Sequence, residues 1–159
     1  MRDKRIPFEE LESARVTAAS SMADARAPGL WLGAYAWPAS TPAEAKAALE
    51  AVPRFEPLPA TWDDITGEEF FVGNVYQLAG HTDEALPHLV RATHACDLLV
   101  NTFEHLHASF LLGQALESKH DIPGACKAYG VVLSHWGNAK PRSRTADAAR
   151  ARVKALSCP

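Results

Sequence analysis

The sequence predicts an all-α chain of antiparallel helix pairs, and three observations predict it. Three stretches superimpose without gaps at an offset of 40: LGAYAWPASTPAEAKAALEAV from Leu32, VGNVYQLAGHTDEALPHLVRA from Val72 and LGQALESKHDIPGACKAYGVV from Leu112. Apolar residues within each stretch recur at helical spacing. No run alternates apolar and polar residues as a half-buried strand does.

Four columns carry the repeat. Leu32, Val72 and Leu112 precede Gly33, Gly73 and Gly113; twelve residues on stand Ala45, Ala85 and Ala125. Leu49, Leu89 and Tyr129 follow four later, and Val52, Ala92 and Val132 three after those. A small residue lets one helix approach its neighbour, and the larger residue fills the space beside it.

The elements follow in order. Phe8, Leu11, Val16, Ala19 and Met22 give a first helix over 8–25, stopped by Pro28-Gly29. In the first unit, Trp37-Pro38 ends or kinks the opening helix early. Thr41-Pro42-Ala43-Glu44 forms a capping box for the next one. Pro53 to Pro59 reads as an extended connection. Thr66-Gly67-Glu68-Glu69 opens the second unit, whose Phe70, Phe71, Val72, Val75, Tyr76 and Leu78 share helical spacing. After Gly80, Thr82 or Asp83 caps a helix that buries Ala85, Leu86, Leu89 and Ala92. The third unit repeats this, with Asp121 as cap and Pro123 in the first turn. Gly137 to Pro141 breaks the chain before a last helix over Thr145–Leu156. The reading is one domain over 1–159, with units over about 28–66, 67–105 and 106–143 and a terminal helix over 144–157.

Composition narrows the function classes. Of 159 residues, 47% are apolar and 22% charged, so the chain is globular rather than disordered. The net charge of −3 disfavours nucleic acid as a partner. The sequence carries no apolar run long enough to span a membrane, and MRDKRIPFEELES has no apolar signal core, so it reads as cytoplasmic. Cys96, Cys126 and Cys158 are widely spaced and odd in number, which suggests a reducing compartment, no disulfide framework and an inert, buried Cys126.

The segments LAGHTDEALPHL and LGQALESKHDIPGACKAY resemble the tetratricopeptide repeat over roughly residues 28–137. The period is 40 instead of 34, and the large residue that the family places four before the glycine is replaced by Gly29, Glu69 and Ser109. The tail VVLSHWGNAKPRSRTADAARARVKAL is similar to the C-terminal repeats of bacterial, especially myxobacterial, eukaryote-like Ser/Thr kinases. The resemblance implies a short right-handed solenoid of about seven or eight helices with a concave groove. It further implies a protein or peptide partner, with a kinase domain in cis as one such partner. The chain itself has no GxGxxG, VAIK, HRD or DFG motif, no GxSxG and no phosphate loop, so no enzyme activity and no cofactor is expected.

Carried over column by column, the groove comprises Ala27, Leu30, Ala34, Trp37 and Pro38, then Gly67, Phe70, Asn74, Gln77 and Leu78, then His107, Phe110, Gln114, Glu117 and Ser118. The peptide-binding set is Phe70, Asn74, Gln77, His107, Phe110, Gln114 and Glu117. Asn74 and Gln114 share a column, and a carboxamide can both donate to and accept from a peptide backbone. Phe70 and Phe110 supply apolar contact, or else belong to the core. The carboxylate-gripping version of the groove lacks its Lys, so a partly apolar, neutral-to-acidic segment is expected. Small-molecule sensing and a spacer or homodimerising role are the alternatives.

The other polar clusters read as ordinary. His94-Ala95-Cys96 and His105-Leu106-His107 place their side chains roughly 200° apart on a helix, so no metal site is expected. Asp63-Asp64 and Glu68-Glu69 read as first-turn residues. The basic tail from Lys140 to Lys154 reads as a solvated helix face.

Overall fold

The computed structural model describes residues 28–62, 67–94 and 102–159, with Glu10, Glu12 and Ser13. The expected helix over 8–25 otherwise lies outside the described residues, as do Ala27, Asp63, Asp64, Thr66, Ala95 and Cys96. Among the described residues there are seven α-helices and no strand. They are α1 (Pro28–Trp31), α2 (Pro42–Ala51), α3 (Glu68–Leu78), α4 (Thr82–His94), α5 (Thr102–Ser118), α6 (Ile122–Trp136) and α7 (Arg144–Ala155). None is long and apolar enough to cross a membrane.

Successive helices pack on one another from α3 to α7, and α5 also touches α3 and α7. Within the second pair, Glu69 meets Arg91, Gly73 faces Leu89 and Tyr76 stacks on His88. Early residues of one helix thus meet late residues of the next, which makes α3 and α4 antiparallel. The glycine columns work as the repeat implies in two units. A Cβ on Gly73 would lie 2.9 Å from Leu89 Cδ2, and one on Gly113 would lie 2.5 Å from the Tyr129 ring. Gly33 has nothing within 4 Å of that position and is exposed. The reason is local. Pro38 has no N–H to continue α1, and the chain widens into a π-turn over Leu32–Ala36, closed by Trp37 N donating to Leu32 O at 2.9 Å.

The caps agree with expectation at Thr41 and Asp121. Thr41 Oγ1 accepts from Glu44 N at 3.3 Å, while Glu44 Oε2 accepts from Thr41 N at 3.0 Å. Asp121 Oδ1 accepts from Gly124 N at 3.0 Å. Two expectations are corrected. Helix α4 begins at Thr82 itself, so Thr82 and Asp83 occupy its first turn, and His81 holds the cap position with its carbonyl accepting from Ala85 N. The proline-rich connection starts with a 3-10 turn over Val52–Arg54, and Phe55 is drawn fully into the core against Tyr35. Burying that ring outweighs the extended preference of the prolines around it.

The repeat extends to the backbone. Helices α3, α5 and α7 each end in a paired-hydrogen-bond turn with one left-handed residue: Gly80 (φ +82°), His120 (φ +63°) and Ser157 (φ +53°). Gly80 and His120 stand 40 residues apart, the repeat offset. A side chain in this conformation costs energy that glycine avoids. His120→Gly is therefore expected to stabilise the fold by about 1 kcal/mol in urea melts; a loss of stability would contradict this account.

The apolar interior is divided in three. The first cluster holds Trp31, Tyr35, Phe55, Val72 and Val75, with Trp31 Nε1 donating to Ala48 O at 2.8 Å. The middle one holds Ala85, Leu89 and Ala115, and the last holds Ala125, Tyr129, Val132, Ala146 and Ala149. Cys126, near the start of α6, is bonded to Cys158 beyond α7. This corrects the reading of Cys126 as inert and of the cysteines as free, and it removes cysteine usage as an argument for a reducing compartment.

Candidate functional site: an aromatic row across the helices

Six rings follow one another across four elements. Trp37, after the π-turn, lies 5.7 Å from Phe71 on α3, and Phe71 lies 5.0 Å from Phe70. Phe70 stacks on His107 of α5 at 6.1 Å, and His107 meets Trp136, at the end of α6, edge to face at 5.2 Å. Trp136 lies 5.6 Å from Phe103 on α5. Phe103 and His107 are one helical turn apart and so share a face of α5. The tilted and edge-on geometries suit ring quadrupoles. Both ends of the row are open, Trp37 at 53% exposure and Phe103 at 67%. Burial pushes the His107 imidazole below its ordinary value, against the opposing influence of Glu104 and of a hydrogen bond with the Phe103 backbone. Burial thus favours the neutral form of the ring.

The expected peptide-binding residues do not stay together. Phe70 and His107 stand within the row, half-buried, together with Trp37 from the first-unit columns. Gln114 is exposed. Asn74, Phe110 and Glu117 are used by the fold. Asn74 Nδ2 donates to Ala39 O at 2.9 Å and so fastens the loop after the π-turn, which corrects its reading as a free grip for a visiting backbone. Phe110 packs against Tyr129 in the last cluster. Glu117 accepts from Tyr129 Oη at 3.0 Å and from Arg152, joining α5, α6 and α7. That Arg152 bond holds the Glu117 carboxyl below the usual carboxylate range. Gln77 is half-buried, and its Oε1 is enclosed with no hydrogen-bond partner. Phe71, Phe103 and Trp136 escape the column rule; the signal for Phe103 was its i,i+4 spacing to His107.

A second polar assembly lies within the core. Glu69, only 1% exposed, has Oε2 2.6 Å from His88 Nδ1 and accepts from Arg91 Nε at 2.7 Å and from the Trp62 backbone N at 2.8 Å. Burial alone would raise this carboxyl; the bonds from His88, Arg91 and Trp62 outweigh it and hold it low. Glu69 is thus no ordinary first-turn residue. It occupies the column four before the glycine, where the buried Ser109 stands in the next unit. A carboxylate in a core column needs partners, and that was the available signal. The tail's basic residues are likewise engaged in part: Arg142 and Arg150 both pair with Asp147. Among the described residues no group of three or more His, Cys, Asp or Glu could hold a metal ion.

The chain matches no protein-family model, no curated protein and no solved structure.

Proposed function

We propose that this chain is a non-catalytic interaction module that lays a partly apolar peptide segment along the aromatic row. The supporting observation is that two of the three exposed large hydrophobics among the described residues, Trp37 and Phe103, stand at the two ends of a continuous series of ring contacts. Aromatic rings in mutual contact offer rigid contact area with little side-chain entropy to lose, and because these span several helices they suit an extended segment that crosses them. Glu104 lies close enough to His107 to influence its titration, so an uncharged segment suits the row better than an acidic one. A catalytic domain on the same polypeptide is the source of such a segment that the resemblance of the tail favours.

The test is selection from a random peptide display library, followed by titration of a synthetic winner against tryptophan fluorescence. Trp37→Ala/Phe103→Ala is expected to weaken binding at least tenfold, about 1.4 kcal/mol. Its melting temperature should hold, because both side chains are largely exposed. Val90→Ala, at an exposed apolar position outside the row, should bind as the parent does. Equal binding by the double variant, or no enriched peptide, would refute the proposal. A melting temperature raised by metabolites without peptide would favour a small-molecule sensor. A concentration-dependent sedimentation mass would favour a homodimer.

A further inference from the structure

The Cys126–Cys158 bond has surroundings that a purely structural tie does not require. Both cysteines are partly exposed and form part of the wall of an open pocket of about 570 Å³. The rest of that wall is largely apolar, with Ile122, Leu133, Val153 and Leu156, and Lys127 is its cationic member. Cys158 sits in the short tail after α7, whereas Cys126 is set in a helix. The tail is also held by Cys158 N donating to Val153 O at 3.0 Å, with left-handed Ser157 completing the turn. A partly exposed disulfide in the wall of an open pocket is accessible to a nucleophile, and an ammonium lining the same pocket favours thiolates within it.

The geometry points to a thiol–disulfide exchange site: the pocket admits a thiolate that reduces Cys126–Cys158 in the folded protein and releases the tail from α6. The incoming thiolate attacks Cys158 Sγ and forms a mixed disulfide, while Cys126 Sγ departs with the bonding electrons as a thiolate in the pocket that Lys127 also lines. A second thiolate of the same reductant then attacks the reductant's own sulfur in the mixed disulfide and expels Cys158 as thiolate. The reductant is oxidised by two electrons to its disulfide. The two protons that its thiols gave up end on Cys126 and Cys158. This site is independent of the aromatic row.

The experiment follows reduction of the full chain in native buffer by glutathione and, in parallel, by a protein dithiol of the thioredoxin type. Alkylation is quenched at intervals and the labelled cysteines are mapped by peptide mass, with Cys96 counted separately. The expected result is a rate proportional to reductant and unaffected by urea below the unfolding transition. Lys127→Ala, an exposed residue, should slow it several-fold, and a trapped glutathione adduct should map to Cys158. Reduction by either reagent supports the site, and the faster one names its source. A rate that saturates with reductant and climbs with urea would mean that the bond is reached only by unfolding, and would overturn the inference. An adduct confined to Cys126 would overturn the order of attack.

Discussion

Glu69→Ala is expected to cost about 3–5 kcal/mol of folding stability, the largest effect of any single substitution considered. The carboxylate is fully enclosed, and its removal leaves His88 at 14% exposure and Arg91 at 31% facing a void. It also frees the backbone N–H that ties Trp62 to α3. Urea melts at neutral pH measure this, and a loss below about 1 kcal/mol would show that the cluster is incidental. The same cluster sets a pH dependence. The folded carboxyl titrates below its ordinary value of 4.5, so its stabilising contribution is complete above the unfolded value and lost as pH falls through the folded one. Stability of the parent should therefore drop in that acid range more steeply than that of Glu69→Gln, which has no carboxyl to titrate there. Parallel acid profiles for the two would contradict the role assigned to the hydrogen bonds.

Gly113→Ala is expected to destabilise by about 1–3 kcal/mol, because the new methyl would enter the Tyr129 ring at 2.5 Å. Tyr129 is fully buried and its hydroxyl is committed to Glu117, so the ring has little freedom to yield. Adding Tyr129→Leu, the residue type found at Leu89 in the preceding unit, should recover part of the loss. Gly33→Ala makes the contrast. It occupies the same repeat column, yet nothing lies within 4 Å, and the substitution should stabilise by up to about 1 kcal/mol. Thermal melts of both variants decide the matter. Similar losses at Gly33 and Gly113 would mean that the first unit packs like the third.

The contrast also shows what was legible in the residues. Helix existence and the Gly73–Leu89 and Gly113–Tyr129 packing follow from periodicity, because both members of each contact lie within one repeat. The first unit matches the columns in sequence, but Pro38 withdraws the hydrogen bond that would have continued α1, and Gly33 turns outward. The aromatic row was half legible. Trp37, Phe70 and His107 occupy groove columns, whereas Trp136 comes from the partner helix of the third unit, and only packing brings it to His107. The carboxamide at Asn74 looked free because its partner, the Ala39 carbonyl, lies 35 residues earlier in a loop with no periodicity to reveal it. The cysteine bond closes a separation of 32 residues that spacing alone does not pair.

The division of the interior into three small clusters has a consequence for how the molecule comes apart. Tyr76 packs against both the first cluster and the middle one, so those two share a wall, while the last is closed largely by α6 and α7. The first cluster shares no residue with the last. Opening is therefore expected to proceed region by region, with amide protons of the first and last clusters exchanging through different events rather than one. The Cys126–Cys158 bond ties α6 to the short tail after α7, so it reinforces the last cluster and leaves the first to its own packing.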